Sequence, residues 1–413
     1  MTETEKEEYK KLAEAYKTPF YLYDEKWLKN RVLMTREKLP GIRTCYAMKA
    51  APMLASFMGG IADRLEVCSP GEYEICLRAG IEPEKLLISG VSKTTESMQR
   101  LLSTGGERAT FTIESESQMK ILSALAGEKG LELPCYLRLS SGNQFGVGRE
   151  EFLSLTRQIQ ADPHLRFAGV HFFSGTQKNG KQREKELTML AGFAKEIEEI
   201  TKEKPALEYG PGLSVAYFVT EKDNKKDAAG KDPEELEGEM ARAALEELSD
   251  MVISSGIREA FSDITFEHGR FLAAGSGVYA TGITDLKTTE GTSYVITDGG
   301  LHQISYFGSM AGMREPYITA LTAAGEEEGT FDYMLAGSLC SAHDVLVRKV
   351  SLPKLSSGDT LLFHLAGAYC GTEGMSLFLS RDLPAVLVKG EDGSVVTLRG
   401  HMGTDRINDG TFQ

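Results

Sequence analysis

The sequence predicts a (β/α)₈ barrel of the TIM type joined to a C-terminal β-sandwich or β-barrel domain, an α/β part followed by an all-β part. Three observations lead there. Short apolar runs alternate with segments of helical period through the first two thirds of the chain. These runs occupy about 230 residues, close to the length such a barrel needs. After Ala274 the helical segments give way to apolar runs separated by turn residues.

Residues 1–17 read as a charged helix and Thr18 to Asp24 as a first strand, with a helix following as far as Leu39, where Pro40-Gly41 ends it. The barrel strands are then expected at Thr44 to Lys49, Arg64 to Ser69, Leu86 to Gly90, Ala109 to Glu114, Cys135 to Ser140, Phe167 to Phe173, Ala206 to Gly212 and Asp263 to Gly269. Helical segments separate them, among them Ser69 to Ala79, where Ser69 caps and Pro70 opens the first turn. The charged run Glu221 to Glu237 reads as a solvated surface insertion before a helix at Glu239 to Leu248. Strands of the second domain are expected at Gly277 to Leu286, Ser293 to Thr297, Phe331 to Gly337, Thr360 to Leu365, Ala385 to Lys389 and Ser394 to Arg399. The expected division is a barrel over 30–275 and a β domain over 276–413, to which 1–29 contribute.

Composition narrows the function. The formal net charge is −14 with no basic cluster, which argues against nucleic acid or an anionic membrane as partner and favours a small-molecule substrate. No apolar run approaches the roughly 18 residues of a membrane span, and the N-terminus lacks the pattern of a signal peptide, so a cytoplasmic location is expected. The 6 cysteines are scattered without CxxC pairs, so neither a disulfide framework nor a metal site is expected.

In such a barrel the reactive groups lie at the C-terminal ends of the strands. Those positions carry Lys49, Ser69, Gly90, Glu114, Arg138, His171 to Phe173, Gly210-Pro211-Gly212 and Glu267-His268-Gly269-Arg270. Alone, Lys49 could be a strand-end lysine reaching solvent, and Gly-Pro-Gly a plain turn. Together, a lysine, a carboxylate, arginines, an aromatic face and a glycine turn match the aldehyde, ring nitrogen, flat ring and phosphate of pyridoxal 5'-phosphate. Lys49 can form the Schiff base, and Glu267 can keep the pyridine nitrogen protonated. Phe173 can stack on the ring. The loop Gly210 to Gly212 can offer backbone N–H groups to the phosphate, with Arg270 as a charged donor and Arg138 as a further cofactor contact.

Tyr46-Ala47-Met48-Lys49-Ala50 resembles the lysine motif of the diaminopimelate and ornithine decarboxylases, fold type III of the pyridoxal-phosphate enzymes. Glu66-Val67-Cys68-Ser69-Pro70-Gly71-Glu72 is similar to the second-strand segment of that family, and Gly169 to Gln177 to its sixth-strand motif. Glu267-His268-Gly269-Arg270 resembles its Glu-Pro-Gly-Arg motif, Gly337 to Asp344 its cysteine motif, and Gly367-Ala368-Tyr369 its Gly-Ala-Tyr motif. The resemblance implies that Lys49 is the cofactor lysine and Glu267 the ring-nitrogen partner. It makes Arg270, Gly212, Thr176 and Tyr369 phosphate contacts, with Gly210 and Gly269 in the same cradle. It implies a homodimer in which Cys340, otherwise readable as a structural thiol, crosses the interface to protonate the carbanion left by decarboxylation. Ser341 and Asp344 then face the substrate.

Four positions depart from the family's pattern. The family's stacking histidine falls at Phe173, which keeps a flat face and loses the ring nitrogens. The acidic residue that follows the cysteine and receives a distal ammonium falls at Ser341, which argues against a diamino acid. The proline of Glu-Pro-Gly-Arg is His268, and an aspartate near the lysine is Glu66. Phe173 to Gln177, Asp298 to His302 and Ala366 to Tyr369 resemble a branch acting on an aminoacyl group, such as glutamyl, tethered to an acyl carrier protein. The alternatives are a decarboxylase of free diaminopimelate or ornithine, a racemase on a similar barrel, and a non-catalytic paralogue. Glu267 at the ring nitrogen favours decarboxylation over racemisation.

Overall fold

The structure, a computed structural model, describes residues 1–219, 233–306, 314–322 and 329–411. Most of the charged run expected to form a surface insertion lies outside these residues. Two compact units are delimited: Lys29–Ser214 with Ala241–Leu272, and Met1–Leu28 with Val215–Met240 and Ala273–Gln413 as far as they are described.

The first unit holds a closed barrel of eight parallel strands in sequence order, Arg43–Ala47, Arg64–Val67, Leu86–Ile88, Thr110–Ile113, Leu133–Arg138, Leu165–Phe172, Ala206–Tyr209 and Ile264–His268. Pairing of Cys45 with Glu267 and Tyr46 with His268 closes the ring. Capping starts the helices where the sequence expects them: Ser69 Oγ accepts from Glu72 N at 3.2 Å, ahead of Pro70–Arg78. Asn179 Oδ1 accepts from Gln182 N at 3.0 Å to open Gly180–Thr201. The first strand stops at Ala47, and Lys49 lies in a single 3₁₀ turn, Met48–Ala50, rather than on the strand itself. Ala51, which precedes Pro52, is held extended at φ −158°, ψ 90°, as a residue before proline prefers.

The second unit contains a mostly antiparallel sheet. The early strand, Phe20–Asp24, pairs antiparallel with Gly277–Thr289 and parallel with Ala385–Lys389, which places it inside this sheet. Two strands escape the sequence reading. Ile318–Leu321 is short and mostly half-buried, and Val345–Leu352 carries exposed Arg348, Lys349 and Ser351, which break the apolar pattern.

The barrel interior carries charge as well as apolar side chains. Arg64, on the second barrel strand, donates to Glu208 on the seventh at 2.7 Å and lies over the Tyr136 ring of the fifth at 5.7 Å. These strands are not neighbours, so the contacts cross the interior. Leu65, Leu87, Phe111, Leu137, Val170, Leu207 and Phe266 are fully buried around them. Removing one member of a buried pair leaves the other charge uncompensated. Arg64→Met is therefore expected to lower the stability of the cofactor-free protein by about 3–5 kcal/mol, and adding Glu208→Leu to recover most of the loss, both read by denaturant unfolding.

Candidate active site

Lys49 Nζ lies 2.7 Å from Glu66 Oε2, and the lysine side chain is 41% exposed while the carboxylate is buried. Ser89 Oγ and Cys68 Sγ donate to the other oxygen of Glu66, at 2.5 and 3.1 Å. Burial alone would push the Glu66 carboxyl up, but the Lys49 charge and these hydrogen bonds hold it at about 2. Burial next to that anion pushes the Cys68 thiol up to about 12, so Cys68 stays a neutral donor, with Sγ 3.5 Å from Lys49 Nζ. A fixed negative charge thus sets the position of the one half-exposed lysine in this group.

Glu267, on the last barrel strand, is held by His171 of the sixth, whose Nε2 lies 3.0 Å from Oε1. The carboxylate only accepts, so Nε2 carries the hydrogen in this contact. His171 is buried and its Nδ1 has no partner among the described residues. His268, in the proline position of the motif, is fully buried beside Phe266 and Phe271, and burial lowers its pKa to about 3, so the ring is neutral packing.

The glycine turn is shaped by what surrounds it. A Cβ at Gly210 would meet the Phe173 ring at 2.4 Å. Gly212 has φ +59°, and a Cβ there would meet the Gly175 carbonyl oxygen at 2.5 Å. The segment Phe173 to Thr176, in which Thr176 is exposed, runs against this turn. Gly269 and Arg270 follow the last strand, and Arg270 opens the short helix Arg270–Ala273.

Arg138 is paired inside the barrel unit. Its Nη1 lies 3.3 Å from Glu114 Oε1 and its guanidinium lies 4.6 Å from the Phe145 ring centre, while the buried Nε has no partner among the described residues. Beside this pair Lys93, unremarked in the sequence, donates to the Gly90 carbonyl at 2.6 Å and to Thr112 Oγ1 at 3.2 Å. Burial lowers the Lys93 pKa to about 8 against the raising effect of Glu114.

Cys340, Ser341, Asp344 and Tyr369 belong to the sheet-containing unit. Cys340 is exposed, and Ser341 Oγ accepts from His343 N at 3.3 Å. Tyr369 takes a left-handed φ of 66°. Asp344 departs from the substrate role expected of it. It is buried, and its two oxygens accept backbone N–H groups of Leu301 and Leu339 at 2.8 and 2.7 Å, so the carboxylate is used in holding the Gly337–Asp344 turn.

The residues present fit pyridoxal phosphate. A lysine stands at the strand ends, a carboxylate is oriented by a second side chain, and a turn exists whose glycine Cβ positions are otherwise filled. Among the described residues Cys45, Glu208 and Glu267 bring ligand-type atoms within 4.8 Å of one another. Glu208 is engaged by Arg64 and Glu267 by His171, which makes this a polar core rather than a metal cage.

Residues 26–274 match the family described as pyridoxal-dependent decarboxylase, pyridoxal binding domain. The chain belongs to that family. It is 27% identical to the diaminopimelate decarboxylase of Zymomonas mobilis, over 94% of this chain and 91% of the relative. It is 27% identical to that of Pseudomonas aeruginosa, over 94% and 92%. Its fold is similar to that of Helicobacter pylori diaminopimelate decarboxylase complexed with L-lysine, with a TM-score of 0.79 at 23% identity over 96% of this chain and 97% of the other. It is also similar to lysine/ornithine decarboxylase of Vibrio vulnificus complexed with putrescine, with a TM-score of 0.77 at 18% identity over 94% and 99%. The chain is a pyridoxal-phosphate-dependent carboxy-lyase of amino acid metabolism. No described helix is long and apolar enough to cross a membrane.

The sequence reading left Glu66 without a role and did not assign His171, Cys68, Ser89 or Lys93. A signal existed for His171 and Glu208, polar residues that interrupt otherwise apolar strands. The Glu66 pair yields a pH test. A carboxyl whose folded pKa lies near 2 contributes stability that is present above its unfolded value of about 4.3 and is lost as pH falls towards 2. The margin in melting temperature of wild type over Glu66→Gln, in cofactor-free protein, is expected to shrink between about pH 6 and about pH 3. A margin constant over that range would contradict the pairing.

Proposed function

We propose that this decarboxylase removes the α-carboxylate from an amino acid whose far end carries no free ammonium, an aminoacyl group such as glutamyl tethered to an acyl carrier protein being the favoured class. The observation that carries the reading is the turn Gly337–Asp344. Its acidic position is Ser341, and its only carboxylate, Asp344, is occupied by backbone N–H groups. A buried ammonium needs a carboxylate partner, which this turn does not offer. A second reading is a free diamino acid, and it is favoured by the names of the relatives, diaminopimelate and lysine/ornithine decarboxylases.

Lys49 is the residue that holds the cofactor's aldehyde carbon, and Glu66 keeps its amine at the strand ends. Glu267, oriented by His171, takes the ring nitrogen, and Phe173 offers the ring a flat face. The turn Gly210 to Gly212, with Thr176, Gly269 and Arg270, receives the phosphate, and Arg138 is a further cofactor contact. Bound there, pyridoxal phosphate supplies the electron sink that makes loss of the α-carboxylate as CO₂ feasible. Cys340, exposed on its own chain, reaches the barrel of a partner copy in a homodimer and returns a proton to the α-carbon. Ser341 lies beside it, facing the substrate.

Release of CO₂ from carrier-linked glutamyl and other aminoacyl groups, compared with free diaminopimelate, ornithine, lysine, arginine and glutamate, tests the reading. Turnover is expected on a neutral-tailed or tethered substrate and to be at least about tenfold lower in kcat/KM on the diamino acids. A preference for diaminopimelate or ornithine would overturn it and establish the second reading. Lys49→Ala, which removes the amine that holds the cofactor, is expected to be inactive on every member of the panel.

A further inference from the structure

The helix Gly180–Thr201 and the segment before it bury an ion pair that no step above employs. Lys178 is 3% exposed, and its ammonium is 2.6 Å from Glu186 Oε2, 2.8 Å from the Gly210 carbonyl oxygen and 3.2 Å from Ser174 Oγ. All three of its hydrogens are thereby directed. The backbone N–H of the same residue donates to the Gly212 carbonyl at 2.9 Å. One residue therefore holds the Gly210–Gly212 turn at both ends, by its side chain at the first glycine and by its main chain at the last. Space around it is closed, since a Cβ on Gly212 would meet Lys178 Cε at 2.6 Å.

Glu186 is shared by the surroundings of this turn. Its Oε2 also accepts from Tyr209 Oη at 2.7 Å, and its Oε1 from Ser174 Oγ at 2.5 Å and Gln182 Nε2 at 3.2 Å. The Lys178 ammonium lies 4.8 Å from the Tyr209 ring centre and 5.9 Å from that of Phe173. Desolvation works against the charge on Lys178 and is partly offset by Glu186. A buried pair of this kind is a poor source of stability compared with an apolar replacement, so what it orders is the more informative question. What it orders here is the Gly210 carbonyl; the Gly210 N–H is taken by the Phe172 carbonyl at 3.0 Å and Pro211 has none, so Gly212 supplies the N–H that the turn itself can offer.

We propose that Lys178 is a positioning residue for the phosphate group of the cofactor. Paired with Glu186, it fixes the Gly210–Gly212 turn in the conformation that offers the Gly212 N–H to a phosphate. The inference rests on the reading of that turn as the phosphate turn.

The test compares binding of pyridoxal 5'-phosphate and of pyridoxal, which lacks the phosphate, to the full chain stripped of cofactor. The double variant Lys178→Met/Glu186→Gln removes the pair without stranding a charge, and Glu186→Gln alone weakens it in a less disturbed background. The double variant is expected to lose about tenfold or more in affinity for pyridoxal phosphate with little change for pyridoxal, and the single variant to move the ratio the same way by less. A role confined to stability would lower the melting temperature and leave the ratio of the two affinities unchanged, and that result would overturn the proposal. Should the double variant fail to fold, the ratio for Glu186→Gln decides it in the same way. Gly212→Ala separates the two layers of the argument. If it too leaves the ratio unchanged, the turn does not receive the phosphate; if it collapses the ratio while the Lys178 and Glu186 variants do not, only the role of Lys178 fails.

Discussion

The contact between Lys49 and Glu66 is where the structure's charges and its chemistry meet. A carboxylate buried at the end of the second barrel strand is unfavourable on its own, and it is tolerated here because Lys49, Ser89 and Cys68 all donate to it. The same requirement explains why Lys49, although half-exposed, is held at a defined place rather than left to sample solvent. A parallel barrel makes this possible, because it turns inward-facing residues of eight strands towards one another and seals them from water with a shell of leucine, valine and phenylalanine.

Four further pairs in the barrel unit follow the same rule of paired burial. Arg64 compensates Glu208, His171 orients Glu267, Glu114 holds Arg138, and Glu186 holds Lys178. The pairs differ in what they leave available. Glu208 is fully buried and Arg64 only 12% exposed, whereas Glu267 has one oxygen on His171 and Lys49 retains access to solvent. Preorganised polar groups at the strand ends are what a cofactor with an aldehyde, a ring nitrogen and a phosphate requires of its protein.

The barrel and the positions of its strands were legible in the sequence because short apolar runs alternate with segments of helical period, some opened by a cap as at Ser69-Pro70. Lys49, Glu267 and the glycine turn were legible because they fall at strand ends, where chemistry-bearing residues stand out. Other features depend on distances that no spacing encodes. Lys178 sits in a polar segment and reads as a surface lysine, yet the chain folds it under Gly210. Asp344 reads as a substrate contact from its motif, and only the closed turn shows that two main-chain donors have claimed it. Glu66 and Cys68 lie two residues apart at the end of one strand, but the third donor, Ser89, arrives from just past the end of the neighbouring strand. Val345–Leu352 went unseen because charged residues on its exposed face interrupt the apolar pattern.

The central claim is that Lys49, and not another sheltered lysine of the barrel, anchors the cofactor. Lys93 and Lys178 are both more buried than Lys49 and have pKa values lowered by burial, so each is a real competitor on chemical grounds. Lys93 is tied to Gly90 and Thr112 and Lys178 to Glu186 and Gly210, whereas Lys49 is the more exposed of the three at the strand ends. Borohydride reduction of the cofactor-loaded protein, followed by peptide mass spectrometry, reads the answer directly. The account predicts the phosphopyridoxyl label on the peptide containing Lys49, and a label on Lys93 or Lys178 would contradict it.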